Sequence, residues 1–195
     1  MGKAVAISTY DVDKIFKICG TCVEKSNGRS VAREELQWIK IEIRDEKFTA
    51  ISCDGIRMAT VSGETIATDT EKEFDIYVKP VKIDKTAQCV AFILNDDRSV
   101  VISDGVNDTV FKPTVADFIN YKSLFDSGKA KHPVEVCIDA KFLAEILNSM
   151  KGHNNMNRRV MLTIDADNTE RPMFIQPIEY ENQKVMLCTM RKPRK

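Results

Sequence analysis

The stretch Phe48-Thr-Ala-Ile-Ser-Cys-Asp-Gly-Ile-Arg-Met-Ala-Thr-Val61 decides how the chain is read. Two runs of alternating apolar residues flank Asp54-Gly55, and an arginine follows two residues after the glycine. Asp-Gly suits a tight turn between antiparallel strands, because glycine accepts positive φ without steric cost. The stretch therefore predicts strand, turn, strand, with strands near residues 47–52 and 57–62. A further strand at 36–44 precedes them across the polar turn Arg44-Asp45-Glu46.

Outward from this meander, the order strand, helix, three strands recurs. Before it lie a strand at 4–8 and a helix over about 11–25, with Thr9 or Asp11 able to cap the helix by accepting a backbone N–H. Val12, Ile15, Phe16, Cys19, Cys22 and Val23 fall on one face of that helix. After it, strands are expected at 73–79, 88–94, 99–103 and 108–112. Residues 80–86 stand where a second helix belongs, but they allow only about two turns. A third copy runs from a strand at 134–138 through a helix at 140–151, capped by Asp139 and stopped at Gly152. Its strands are expected at 160–164, 173–177 and 185–190. The stripe Phe142, Leu143, Ile146, Leu147 and Met150 needs a surface to cover it, from this chain or from another. Gly128, Lys129 and Lys131 mark an exposed linker. Strand-rich repeats with segregated helices predict an α+β fold, helices packed on one face of antiparallel sheets.

The 195 residues can bury one sizeable core or two small ones. With 29 basic and 29 acidic residues the net charge is zero, which argues against tight binding to phosphates. No apolar run has the length of a membrane span, and the first residues lack a signal peptide's apolar core, so a cytoplasmic location is expected. Cysteines at 19, 22, 53, 89, 137 and 188 are spread through the chain, and Cys19-Gly-Thr-Cys22 reads as core packing rather than a redox pair. Phosphate-binding, dinucleotide and zinc-protease motifs are absent, and His132 and His153 stand in polar loops. Asp165-Ala-Asp167-Asn168 lacks the glycine and closing glutamate of a calcium loop. Neither an enzyme nor a cofactor or metal site is expected.

The stretch Phe48–Val61 resembles the "ATDGHRLA" segment of bacterial sliding clamps, the beta subunit of DNA polymerase III. Val185-Met-Leu-Cys-Thr-Met-Arg191 is similar to that family's C-terminal "YxxMPMR" strand, and Val115-Ala-Asp-Phe-Ile-Asn-Tyr121 to its "DGRFPDY" segment. The resemblance implies DNA-clamp-like repeats of βαβββ units, with helices facing the inside of a ring and sheets outside. Residues 1–125 look like the middle domain, 126–132 like a linker, and 133–195 like the second half of the C-terminal domain. It further implies a hydrophobic groove for partner peptides, formed by Leu36, Cys53, Gly55, Ile56, Arg57, Met58, Ile119, Leu124, Met186, Cys188, Thr189, Met190 and Arg191. Ile56 replaces the family's histidine, and Ile119 and Thr189 replace prolines. Helix-face cations that would meet DNA weakly are Lys14, Lys17, Lys25, Lys141, Lys151, Arg158 and Arg159. The implied function is a non-enzymatic processivity factor for DNA replication that binds a polymerase or other partner proteins. The alternative is a clamp-like regulatory module that competes for clamp-binding peptides without encircling DNA. A monomer or dimer is expected over a closed ring.

Overall fold

The fold was established from a computed structural model that describes residues 2–24, 33–69, 73–114, 117–127, 133–149, 159–178 and 185–190. The chain divides into two compact units, Met1–Asn120 and Tyr121–Lys195.

In the first unit, β1 (Lys3–Ser8) leads into α1 (Thr9–Ile18). Neither Thr9 nor Asp11 caps this helix. The cap is Ser8, whose Oγ accepts the Asp11 N–H at 3.0 Å while donating to the Asp11 carboxylate at 2.6 Å. The helix is also shorter than its apolar pattern predicts, and Cys19–Cys22 tightens into a 3-10 turn. Gly20 lies against Pro80, where a Cβ would come within 2.9 Å of the ring, so the chain closes down at this point. A second 3-10 turn, Glu34–Gln37, holds Leu36 before β2 (Ile39–Arg44), β3 (Lys47–Cys53) and β4 (Met58–Glu64). There follow β5 (Ala67–Thr68), β6 (Glu73–Val78), β7 (Cys89–Leu94), β8 (Val100–Ser103) and β9 (Asp108–Phe111). Between β6 and β7, residues 79–84 are extended, with no helix.

The strands do not stay with their own repeat. β1 pairs antiparallel with β7 along its full length, and β6 pairs in the same way with β2. The sheets are therefore β4-β3-β2-β6 and β5-β1-β7-β8-β9, each half lending its opening strand to the other half's meander. Alternating residues from both sheets, among them Ile7, Ile39, Ile41, Ile76, Val90 and Phe92, meet Val12, Ile15 and Phe16 of α1 in one core. On the opposite face of the first sheet, Lys40 bridges Glu42 and Asp75 at 2.8 and 2.9 Å, and Asp75 also meets Arg44. The Phe118 ring lies over Tyr77 and Lys40 on this face.

The second unit begins with α2 (Tyr121–Ser127), a helix where the sequence suggests the end of one domain and the start of a linker. It continues through α3 (Ala140–Ser149), β10 (Val160–Thr163), β11 (Met173–Pro177) and β12 (Val185–Leu187). The Asp139 carboxylate caps α3, accepting the Lys141 and Phe142 N–H groups. Residues 134–138, expected as a strand, are extended but join no sheet. The last strand ends at Leu187, three residues earlier than its apolar pattern predicts. From the helix stripe, Leu143 and Ile146 pack against Met173, Ile175 and Leu187, whereas Phe142 and Leu147 stay exposed. Met150 and Gly152 lie outside the described residues.

Because each half of the first unit contains the other's strand, neither can unfold alone. Ile7→Ala and Ile76→Ala, one in each exchanged strand, should each cost about 2–5 kcal/mol. Both should shift the same single transition, whether followed by far-UV circular dichroism or by fluorescence of the buried Trp38. Separate transitions for the two substitutions would contradict the shared core.

Candidate functional site: two aspartate–glycine turns and their grooves

The turn between β3 and β4 is built around one carboxylate. Asp54 Oδ1 accepts the N–H groups of Ile56 and Arg57 at 3.0 and 2.7 Å. Its Oδ2 accepts Nε and Nη2 of the Arg57 guanidinium at 2.9 and 2.6 Å. Gly55 sits at φ +85°, a conformation that side chains disfavour, and its N–H points to Cys53 Sγ at 3.3 Å. Burial acts to raise the Asp54 carboxyl, but the Arg57 and Ile56 donors outweigh it and hold its pKa below the ordinary value. The turn is thus rigid, and it carries Ile56 at its tip, 93% exposed.

Around this turn the first unit gathers several residues of the expected peptide site. Leu36 is buried, with Cδ1 3.9 Å from the position a Gly55 Cβ would take. Cys53 and Met58 are half-buried Cα partners across β3 and β4. Ile119, also in the first unit, is half-buried beside Phe118, whose ring meets Tyr77 and Lys40 rather than the turn. A groove of about 600 Å³ runs between the turn and the 3-10 segment after α1, lined by Gly20, Thr21, Val23, Glu24, Asp54, Ile56 and Arg57. The Gly20–Glu24 wall has no signal in the sequence, where Cys19-Gly-Thr-Cys22 reads as core packing rather than a redox pair or half of a zinc site. Cys19 and Cys22 are buried, and burial pushes the Cys19 thiol up to about 11.

The remaining site residues belong to the second unit. Leu124 is exposed on α2, and Met186 is exposed on β12. Cys188, Thr189 and Met190 follow that strand; Cys188 and Met190 are exposed, and Thr189 Oγ1 donates to the Arg171 carbonyl at 3.4 Å. Arg191 lies outside the described residues. Of the helix-face cations, Lys14 and Lys17 are exposed on α1, where Lys17 pairs with Asp13. Lys141 and Arg159 are exposed in the second unit, and Lys25, Lys151 and Arg158 lie outside the described residues, as do His132 and His153. No group of His, Cys, Asp and Glu that could hold a metal occurs among the described residues.

The second half of the first unit repeats the turn. Asp104 Oδ1 accepts Val106 and Asn107 at 3.0 and 2.7 Å, and Gly105 takes φ +84°. The difference lies at Oδ2, which receives the Asp84 N–H at 2.7 Å where Asp54 receives an arginine. Beside this turn is a larger groove of about 900 Å³, between α1 and residues 81–85, with Phe16, Val81 and Ile83 on its floor. It lies next to the extended segment that replaces a second helix. Donation from Asn107, Asp84 and Val106 lowers the Asp104 carboxyl to about 2. A carboxylate with a lowered folded-state pKa stabilises the fold above its unfolded value near 4. That contribution fades as pH falls toward about 2. Thermal unfolding between those limits should therefore depend less on pH in Asp104→Asn than in the parent chain. Parallel curves would contradict the assignment.

No protein-family model matches the chain, and no curated protein is similar to it in sequence. Solved structures are similar in fold. The DNA polymerase sliding clamp from Bacillus subtilis superposes with a TM-score of 0.74 at 14% identity, over 95% of this chain and 49% of the clamp. The sliding clamp from Pseudomonas aeruginosa gives 0.72 at 13% identity, over 96% and 51%. A putative DNA polymerase III beta subunit from Eubacterium rectale gives 0.65 at 11%, over 95% and 50%. This chain spans about half the length of the clamps it matches and has the fold of bacterial sliding clamps over that span.

Proposed function

We propose that the chain is a non-catalytic, sliding-clamp-like accessory protein of DNA replication that works in the cytoplasm. In this reading it recruits a polymerase or other partners by accepting short hydrophobic peptides. The observation that carries it is the Asp54–Arg57 turn. Its carboxylate-locked backbone holds an exposed Ile56 on a groove shared with Val23 and Gly20, and Leu36 packs next to Gly55. Such an arrangement offers apolar anchors on a scaffold that need not reorganise on binding. Met58, half-buried on β4, adds an adaptable side chain for varied partners. Lys14, Lys17, Lys141 and Arg159 supply weak, sequence-independent contact with duplex DNA.

One observation favours the alternative of a regulatory module that competes for clamp-binding peptides. Lys17 is paired with Asp13, so the cationic face of α1 is partly neutralised. An excess of this protein over a complete clamp would then lower polymerase processivity rather than raise it.

Binding of a fluorescent clamp-type peptide tests the groove. Ile56→Glu combined with Met58→Glu should weaken it at least tenfold, about 1.4 kcal/mol or more. Unchanged anisotropy titrations for the double variant would sink the assignment of these residues.

A further inference from the structure

The groove beside the Asp54 turn carries its charge unevenly. On the turn's side, Asp54 and Arg57 are closed on each other. The guanidinium donates through Nε and Nη2 to one carboxylate oxygen, and the other oxygen accepts the N–H groups of Ile56 and Arg57. That wall is therefore close to neutral. On the facing wall the ionisable residue is Glu24, half-buried. Its carboxylate has no hydrogen-bond or ion-pair partner among the described residues.

The backbone of Glu24 is fixed where it stands. Its N–H donates to the Leu36 carbonyl at 2.8 Å, which ties the end of this wall to the 3-10 turn Glu34–Gln37. That turn brings exposed Glu34 and half-buried Glu35 directly before the buried Leu36. Neither has a partner among the described residues. Arg33, just ahead of them, is exposed and does not line the groove. One guanidinium against the carboxylates of Glu24, Glu34 and Glu35 leaves a local excess of negative charge, in a chain whose net charge is zero.

The apolar residues of the site converge on the same place. Val23 precedes Glu24 on its wall, and Ile56 stands on the other. Leu36 packs next to Gly55, its Cδ1 3.9 Å from where a Cβ there would lie. A peptide side chain seated between Val23 and Ile56 thus carries its chain neighbours past Glu24, since an extended peptide advances only about 3.3 Å per residue.

Building on the peptide-binding reading above, we propose that this groove selects peptides in which a basic residue adjoins the apolar anchor and rejects those with an acidic residue there. A partner's Lys or Arg supplies the counter-charge that the chain itself does not give Glu24. An Asp or Glu at the same point meets like charge, and Arg57 is committed to Asp54 rather than free to offset it. Selection therefore works as much by repulsion as by attraction. Because the carboxylates are partly solvated, the preference weakens as salt screens them.

Otherwise identical fluorescent clamp-type peptides, with Lys, Gln or Glu on both sides of the apolar core, test this by anisotropy titration of the full chain. At about 50 mM salt, affinity should fall in the order Lys, Gln, Glu, with a span of about tenfold that shrinks at about 0.5 M. Glu24→Gln should reduce the span, and Glu24→Lys should narrow it to about twofold or less. Taken as a ratio within one protein, the span is insensitive to a general loss of affinity in a variant. Equal affinities in the parent chain, tightest binding of the Glu peptide, or a full span in both variants would overturn the proposal and leave the groove standing. A further peptide, its apolar core replaced by serine, separates the two readings. If it binds as well as the others, the peptide-binding reading fails, and the charge preference with it.

Discussion

The reciprocal loan of opening strands is the constraint on which the first unit depends. β1 completes the sheet of the second half and β6 that of the first, so each sheet includes a strand from the other half's stretch of sequence. This closes edges that a lone meander would leave open. It also places α1 against strands from both sheets, which is why Val12 and Ile15 are fully buried although the second half has no helix of its own. The extended segment at residues 79–84 is tolerated because the exchanged strands, rather than a second helix, hold the two sheets together.

The same frame fixes the two aspartate–glycine turns, because each joins the last two strands of a meander. Shared geometry with unlike second partners gives them different characters. Asp54 closes on the side chain of its own turn, leaving a small groove with an apolar tip. Asp104 closes on a backbone N–H from the segment opposite, tying residue 84 to the turn beside the larger groove. One carboxylate in each half accepts most of the side-chain hydrogen bonds of its turn.

Much of the local structure was legible in the sequence, because strand alternation and glycine placement act over a few residues. β11 matches the expected 173–177, and the Asp54-Gly55 turn stands where its dipeptide marks it. Asp139 was readable as a cap, whereas Ser8 was overlooked in favour of Thr9 and Asp11, which lie inside the first turn. Alternation tells which face a residue occupies but not which strand lies beside it, so the crossing of β1 and β6 could not be read. The wall at Gly20–Glu24 was hidden for a related reason. Its shape follows from the approach of Gly20 to Pro80, sixty residues away in sequence. The larger groove arises from a helix that is not there, and residue patterns report elements rather than gaps.

The two grooves of the first unit, alike in their turns and unlike in their walls, permit the most direct test of the functional account. Backbone amide shifts of the full chain can be mapped while a clamp-type hydrophobic peptide is added. The account predicts that the largest shifts fall at Leu36 and at Ile56 to Met58, with residues 81–85 unmoved. Shifts confined to residues 81–85 and 107–109, with the Asp54 turn silent, would contradict it.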